Sequence, residues 1–143
     1  MPSYIGGCFC GAIRYEANAE PAAAGACHCR DCQYVSGGAP AYVIIVPKAA
    51  LAVTKGSPRA YASRSALDNR VVRRFCADCG TPLFYESAIN PDLIAIKVGS
   101  LDDPAIFKPA ANLWVSAAQP WHHIDPAVPW FAKGPAHFDP PST

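Results

Sequence analysis

Short stretches of alternating or continuous apolar residues recur along the chain, with turn-forming residues between them. Within residues 12–17, Ile13 and Tyr15 would share one face of an extended chain, while Arg14 and Glu16 would share the other. This alternation predicts a half-buried antiparallel strand. Strands are predicted at residues 12–17, 41–46, 70–75, 82–85, 93–98 and 113–116.

Helix is predicted to be scarce. The chain has 15 prolines, about twice the ordinary share, and an interior proline removes a backbone donor and clashes with the preceding turn. Helical turns are predicted only at residues 31–35 and 47–51, where Pro47 would take the first helical position. Repeated prolines predict an extended tail without regular structure over residues 125–143, following a domain over residues 1–124. The sequence therefore predicts one mostly β domain with little helix.

The composition is that of a globular protein, with 51% hydrophobic and 16% charged residues. The 12 Lys and Arg are scattered and the formal net charge is +1, so no nucleic-acid surface is predicted. The N-terminus lacks the basic and apolar regions of a signal peptide, and no stretch has the length of a membrane span. We therefore expect a cytoplasmic protein whose partners are small molecules or proteins.

All seven cysteines lie in closely spaced clusters. They occur in Cys8-Phe9-Cys10, in Cys27-His28-Cys29-Arg30-Asp31-Cys32, and in Cys76-Ala77-Asp78-Cys79-Gly80. An odd number of clustered cysteines without an export signal favours a bound metal over disulfides. Cysteines at positions i and i+2 of a strand would face the same side, and a positive φ at Gly80 would turn backbone N–H groups toward the thiolates.

Structural zinc takes four tetrahedral ligands, which divides the seven thiolates into four and three. Three thiolates, Cys27, Cys29 and Cys32, already form one chelate. The two remaining pairs therefore form the predicted structural site, with the ligands Cys8, Cys10, Cys76 and Cys79. An open fourth position is typical of catalytic zinc, so the three-cysteine site is the predicted catalytic centre. The prediction is two Zn²⁺ per chain, and iron is the alternative metal.

Other residues offer ways to close the second site. His28 lies between two predicted ligands, but on a strand its side chain would point to the opposite face. His122, His123 or a distant Asp are further alternatives, as is a metal-free cluster of reactive thiols. With both sites closed, the protein would be a noncatalytic zinc-stabilised module that binds a protein partner.

Three thiolates should soften the Lewis acidity of zinc, so an exogenous thiol is a better ligand there than water. Arginines are candidates to bind the carboxylates of such a ligand, although arginines beside strands are more often solvated. The candidates are Arg30, Arg70, Arg73 and Arg74, of which Arg73 and Arg74 should face opposite sides. Trp114, Trp121 and Trp130 are candidates for a pocket wall, but we expect at least two of them in the core.

Residues 6–15, 27–32 and 75–83 resemble the glutathione-dependent formaldehyde-activating enzyme family, also called the centromere protein V domain family, and the similarity continues through residues 98–104 and Pro120-Trp121. The resemblance implies a mostly β fold of the β-tent type. It assigns structural zinc to Cys8, Cys10, Cys76 and Cys79, and catalytic zinc to Cys27, Cys29 and Cys32. It also implies a carbon–sulfur lyase whose partners are a thiol such as glutathione and an aldehyde, with S-(hydroxymethyl)glutathione as the adduct.

Overall fold

The computed structural model describes residues 1–65 and 68–133, and β-strands dominate these residues. The strands are β1 Ser3–Gly7, β2 Arg14–Asn18, β3 Ala23–Cys27, β4 Ala41–Pro47, β5 Leu51–Lys55, β6 Arg59–Arg64, β7 Arg70–Phe75, β8 Pro82–Ser87, β9 Leu93–Lys97 and β10 Asn112–Leu113. The described α-helix is α1 Arg30–Val35, and short 3₁₀ turns occur at Lys48–Ala50, Val98–Ser100, Pro104–Ile106 and Val115–Ala117. The prediction of a mostly β fold with little helix is confirmed.

The chain is organised as two compact units. The first contains Met1–Ala23 and Ile44–Phe107, and the second contains Ala24–Val43 together with the described residues from 108 onward. Strand β4 begins in the second unit and ends in the first. The division into a domain over residues 1–124 and a tail over residues 125–143 stays a prediction.

The first unit is built on two sheets. Strands β1, β2 and β5 form an antiparallel sheet, and the other sheet runs in the order β4, β9, β8, β7, β6, with β6 to β9 paired antiparallel. Ile13, Tyr15 and Ala17 are buried while Glu16 is exposed, so the predicted alternation is confirmed. The Tyr15 ring meets the edge of Phe84 on β8 with 4.9 Å between ring centroids, which joins the two sheets through an aromatic pair.

Gly6 on β1 permits a close approach between β1 and the turn Val98–Ser100. A Cβ at this position would lie 2.2 Å from the carbonyl oxygen of Ser100. On the same turn, the Ser100 hydroxyl is hydrogen bonded to the buried Tyr15 hydroxyl at 2.6 Å. The glycine is therefore required by packing, since any side chain would push β1 away from this contact.

The second unit contains β10, most of β3, the start of β4 and the helix α1. Strand order is β10, β3, β4, and β10 pairs parallel to β3 with Leu113 opposite Cys27. The predicted strand at residues 113–116 is too long, because Trp114 adopts a left-handed conformation (φ 54°, ψ 40°) that ends β10. On its other side, Asn112 forms a parallel bridge with Trp130. Within the described part of the predicted tail, residues 129–131 are hydrogen bonded to Asn112 of β10, whereas residues 125–128 form a turn. Pro135, Pro140 and Pro141 lie outside the described residues.

Of the two predicted helical segments, residues 31–35 lie within α1, whereas residues 47–51 contain only the 3₁₀ turn Lys48–Ala50. Pro47 precedes that turn and does not occupy its first position, which corrects the prediction. Four further strands, β1, β3, β5 and β6, were not predicted. They lack the apolar signal, because β1 and β3 are rich in Gly or Ala and β5 and β6 are largely exposed. No helix in the described segments has the length and apolar character of a membrane span.

Glu86 on β8 forms two ion pairs that should stabilise the first unit. Its carboxylate lies 2.8 Å from Lys48 Nζ and 3.2 Å from Arg74 Nη2. Burial raises the pKa of Glu86, but the two cations outweigh burial and lower it below its usual value. We expect Glu86→Gln to lower the free energy of unfolding at pH 7 by about 0.5–1 kcal/mol, since both cations are partly exposed and screened.

The sign of the pH dependence follows from the lowered pKa. The stabilisation by Glu86 is fully present above the unfolded-state pKa of about 4.3 and disappears as the pH falls through the folded-state value. Urea unfolding of wild type and Glu86→Gln should therefore differ at pH 7 and converge in acid. Glu16→Gln, at an exposed position of β2, is the control. A difference between wild type and Glu86→Gln that does not shrink in acid would contradict the assignment.

Candidate metal centres

In the first unit, the thiols of Cys8, Cys10, Cys76 and Cys79 lie within 4.8 Å of one another. The cluster joins the loop between β1 and β2 to the loop between β7 and β8. Cys8 and Cys10 lie in a turn, not at alternate positions of a strand as the sequence interpretation assumed. Two glycines that follow cysteines, Gly11 (φ 80°) and Gly80 (φ 78°), allow the two turns, and the positive φ predicted for Gly80 is confirmed.

The spacing of this cluster fits a tetrahedral ion. The Sγ atoms of Cys8 and Cys10 are 3.6 Å apart, and those of Cys10 and Cys76 are 3.8 Å apart. A Zn–S bond of about 2.3 Å gives a tetrahedral S···S edge of about 3.8 Å. Backbone N–H groups also point at sulfur, from Ile13 to Cys8 at 3.2 Å and from Cys79 to Cys76 at 3.5 Å. The four-cysteine cluster therefore has the donor atoms, spacing and surrounding N–H groups that a thiolate-bound zinc requires.

The acidities of these thiols are pushed in opposite directions. Hydrogen bonds from Thr81, first from its hydroxyl and then from its backbone, lower the pKa of Cys79 to about 6. The Ala12 N–H lowers the pKa of Cys10, but the neighbouring Cys8 thiol and burial raise it to about 12. Several thiolates this close repel one another unless a cation shares their charge.

In the second unit, the thiols of Cys27, Cys29 and Cys32 also lie within 4.8 Å of one another. Cys27 is the last residue of β3, Cys29 is the N-cap of α1, and Cys32 lies in the first turn of that helix. The Cys29 sulfur accepts a hydrogen bond from the Cys32 N–H at 3.3 Å. Close contact with Cys29 and Cys32, in that order, raises the pKa of Cys27. The strand end and the helix start thus bring three soft donor atoms together, which suits zinc.

The structure groups the seven cysteines as the sequence predicts, into four and three. Among residues 1–65 and 68–133, no His, Asp or Glu joins the three-cysteine cluster. Metal ligation by these thiols stays a prediction, as does an open ligand position at the three-cysteine cluster.

His28 lies between Cys27 and Cys29 but is turned away from the sulfur cluster. Its side chain is fully buried, with Nε2 placed 3.0 Å from Asn112 Oδ1 and Nδ1 placed 3.1 Å from Nδ1 of His122. Nε2 of His122 lies 2.8 Å from the Gly38 carbonyl oxygen. His122 is therefore engaged at both nitrogens outside the cluster, and His123 is exposed.

The hydrogen-bond partners assign the protons of the two rings. The Gly38 carbonyl only accepts, so His122 carries a proton on Nε2, and its Nδ1 accepts from the Gln119 N–H at 3.3 Å. His28 must then donate from Nδ1 to His122. Burial is the largest influence on the pKa of His28 and lowers it, which favours a neutral ring. A neutral ring leaves Nε2 as an acceptor, so the amide NH₂ of Asn112 would face it.

The four candidate arginines lie in different units of the chain. Arg30 lies in the second unit with the three-cysteine cluster, donates to Gln33 and sits 4.8 Å from the Tyr34 ring centroid. The arginines at positions 70, 73 and 74 lie in the first unit. Arg74 contacts Glu86 and Arg73 stacks on Tyr85, as expected for opposite faces of β7.

The prediction that at least two tryptophans lie in the core is wrong, because Trp121 is 72% exposed and Trp114 and Trp130 are only half-buried.

Most of the chain matches a known protein family. The profile of a family described as glutathione-dependent formaldehyde-activating enzyme matches residues 3–117. The chain belongs to this family. The match spans both cysteine clusters. The family membership that the sequence motifs indicated is therefore confirmed.

This member of the glutathione-dependent formaldehyde-activating enzyme family also resembles a solved structure. A protein from Rhodobacter sphaeroides, known from a crystal structure, shares 20% sequence identity with a TM-score of 0.58, over 89% of this chain and 99% of that one. At this identity the similarity supports the fold alone. No curated protein matches the sequence significantly.

Three residues near the second cluster of this family member were missed by sequence interpretation. Gln33 is buried and donates from Nε2 to the carbonyl oxygens of His28 (2.8 Å) and Ala117 (3.0 Å), and Gln119 donates to Gln33 Oε1 at 3.0 Å. Asn112 faces His28 from β10. The available signal was a polar residue inside an apolar stretch, as at Asn112, since buried polar groups require partners.

Serine substitutions should separate the two clusters. We expect zinc-loaded wild type to hold two ions and Cys29→Ser to hold one and stay folded. We expect Cys79→Ser to prevent folding, because structural zinc contributes roughly 10–16 kcal/mol in small domains, comparable with the whole stability of about 5–15 kcal/mol. Elemental analysis and circular dichroism test this directly. If both variants unfold alike, the division into structural and catalytic clusters is wrong.

Proposed function

We propose that this protein is a zinc-dependent carbon–sulfur lyase that forms and cleaves a thiol–aldehyde adduct, of the S-(hydroxymethyl)glutathione synthase type. The observation that carries the proposal is the convergence of Cys27, Cys29 and Cys32 without a fourth His, Asp or Glu among the described residues. Family membership supports the same reaction class. One zinc ion in each cluster, two per chain, is part of the proposal. So is a location in the reducing cytoplasm, where all seven cysteines would stay reduced and not form disulfides.

Each cluster has a distinct role in this proposal. Cys8, Cys10, Cys76 and Cys79 would hold a structural ion by four thiolates, and Cys27, Cys29 and Cys32 would hold the catalytic ion by three. When bound to the three thiolates, zinc would supply a soft Lewis acid that lowers the pKa of an incoming thiol.

The protein residues around the second cluster would bind and orient the reactants. Arg30 is exposed at the start of α1, directly after Cys29, and its guanidinium suits the carboxylates of a glutathione-like thiol. In the forward reaction, one carbon–sulfur bond forms at the aldehyde carbon and the carbonyl π bond breaks. The thiol proton ends on the carbonyl oxygen, so no oxidant or reductant is needed. Acceleration would come mainly from orientation and thiolate formation.

Calorimetric titration of glutathione into the zinc-loaded protein tests the proposal. We expect millimolar or tighter binding to wild type, because a three-thiolate site accepts a fourth sulfur. S-methylglutathione, which has no free thiol, and the Cys29→Ser variant are matched controls and should bind at least about tenfold more weakly. With formaldehyde added, nuclear magnetic resonance should show faster equilibration of the S-hydroxymethyl adduct than without protein.

The outcomes separate the lyase from the alternative role. Two bound metals with no thiol binding at millimolar concentration would remove the lyase mechanism and favour a noncatalytic, zinc-stabilised protein-binding module. A protein coloured by iron as isolated would correct the identity of the metal.

A further inference from the structure

His28 is anchored more completely than its position between two cysteines requires. Its backbone N–H donates to the Leu113 carbonyl at 2.9 Å, and its carbonyl accepts from Gln33 Nε2 at 2.8 Å. Both ring nitrogens have partners, Asn112 and His122. Every polar group of this fully buried residue is therefore hydrogen bonded.

These contacts form a closed ring of hydrogen bonds. His28 contacts His122 through the imidazoles, and the His122 ring accepts from the Gln119 N–H. The Gln119 side chain donates to Gln33 Oε1, and Gln33 Nε2 returns to the His28 carbonyl. Each member of the ring is hydrogen bonded to two others. The ring therefore restrains the backbone at His28, which is flanked by Cys27 and Cys29.

The equivalent position in the four-cysteine cluster is built differently. Phe9, between Cys8 and Cys10, is 95% exposed, and its described hydrogen bond is from its backbone N–H to Thr81 Oγ1 at 3.0 Å. Four converging sulfurs from two loops can define a site by themselves. Three sulfurs from one short segment give fewer constraints, so the backbone around them contributes more to their arrangement.

We propose that His28, held by Asn112 and His122, is a positioning residue that keeps the thiols of Cys27 and Cys29 arranged for one metal ion. The inference rests on the proposed function only in taking the three-cysteine cluster as a metal site. Loosening the ring should weaken metal binding at this cluster and leave the four-cysteine cluster unchanged. Loss of the hydrogen bonds that hold metal ligands in place typically lowers metal affinity by about 10–100-fold.

The test compares two neighbouring histidines in the full-length protein. His122→Ala removes the partner of the His28 ring, and His123→Ala removes an exposed histidine next to it. Zinc release to a chelator should occur in two phases, and the phase that Cys29→Ser lacks belongs to the three-cysteine cluster. We expect His122→Ala to lower the zinc affinity measured in that phase about 10–100-fold. The zinc affinity of His123→Ala should match that of wild type.

A second readout detects the arrangement of the thiolates. Cobalt in place of zinc gives a sulfur-to-metal absorption band that depends on ligand geometry. We expect this band to change in His122→Ala at the three-cysteine cluster only. His28→Ala removes the contact with His122 and also the one with Asn112, so it should have at least as large an effect. The double variant should cost little more than His28→Ala alone, because the contact between the two rings is already lost. If His28→Ala does not fold, the His122 and His123 pair still decides the question.

Each outcome has a defined meaning. Unchanged affinity and spectrum in His122→Ala would overturn the inference, as would equal weakening of both clusters, which would indicate a general loss of stability. A wild type that holds only one metal would overturn both this inference and the proposed function. A wild type that holds two metals but binds no thiol would overturn the function alone.

Discussion

Mutual repulsion between thiolates is the constraint on which the rest of this structure depends. Seven thiols lie in two groups, each within 4.8 Å, and they can ionise together only where a cation shares their charge. At Cys10 the Ala12 N–H lowers the pKa, but the neighbouring thiols and burial raise it to about 12, which shows this constraint at a single residue. The turns at Gly11 and Gly80, the N-cap at Cys29 and the strand end at Cys27 all place sulfur atoms at distances that suit one ion.

The two clusters solve this constraint by different means. The four-cysteine cluster joins segments 66 residues apart, and the sulfur atoms themselves define its geometry. The three-cysteine cluster comes from one short segment, and His28, which lies between two of its cysteines in sequence, is held by Asn112, His122 and Gln33. A cluster of four thiols and a cluster of three are therefore present in the same chain. Under the proposed function, the first would hold a structural metal and the second a metal that acts on a substrate.

Sequence pattern predicted the parts of this fold that depend on local chemistry. The alternation around Tyr15, the strand at β7 and the grouping of the cysteines follow from side-chain period and ligand count. Glycine-rich and exposed strands such as β1 and β5 carry no such signal. The left-handed Trp114 was not predictable, because nothing in its local sequence requires that conformation. The contacts of His28 with Asn112 and His122 span 84 and 94 residues, beyond the reach of any periodicity.

The long span of the His28 contacts also sets the order in which its partners become available during synthesis. A chain that emerges from the ribosome N-terminus first has all the thiols of the four-cysteine cluster once Cys79 is outside. The thiols of the other cluster emerge much earlier, with Cys32, yet the imidazole between them has no side-chain partner until Asn112 and then His122 follow. The cluster whose cysteines are complete first is therefore the one whose surroundings are completed last.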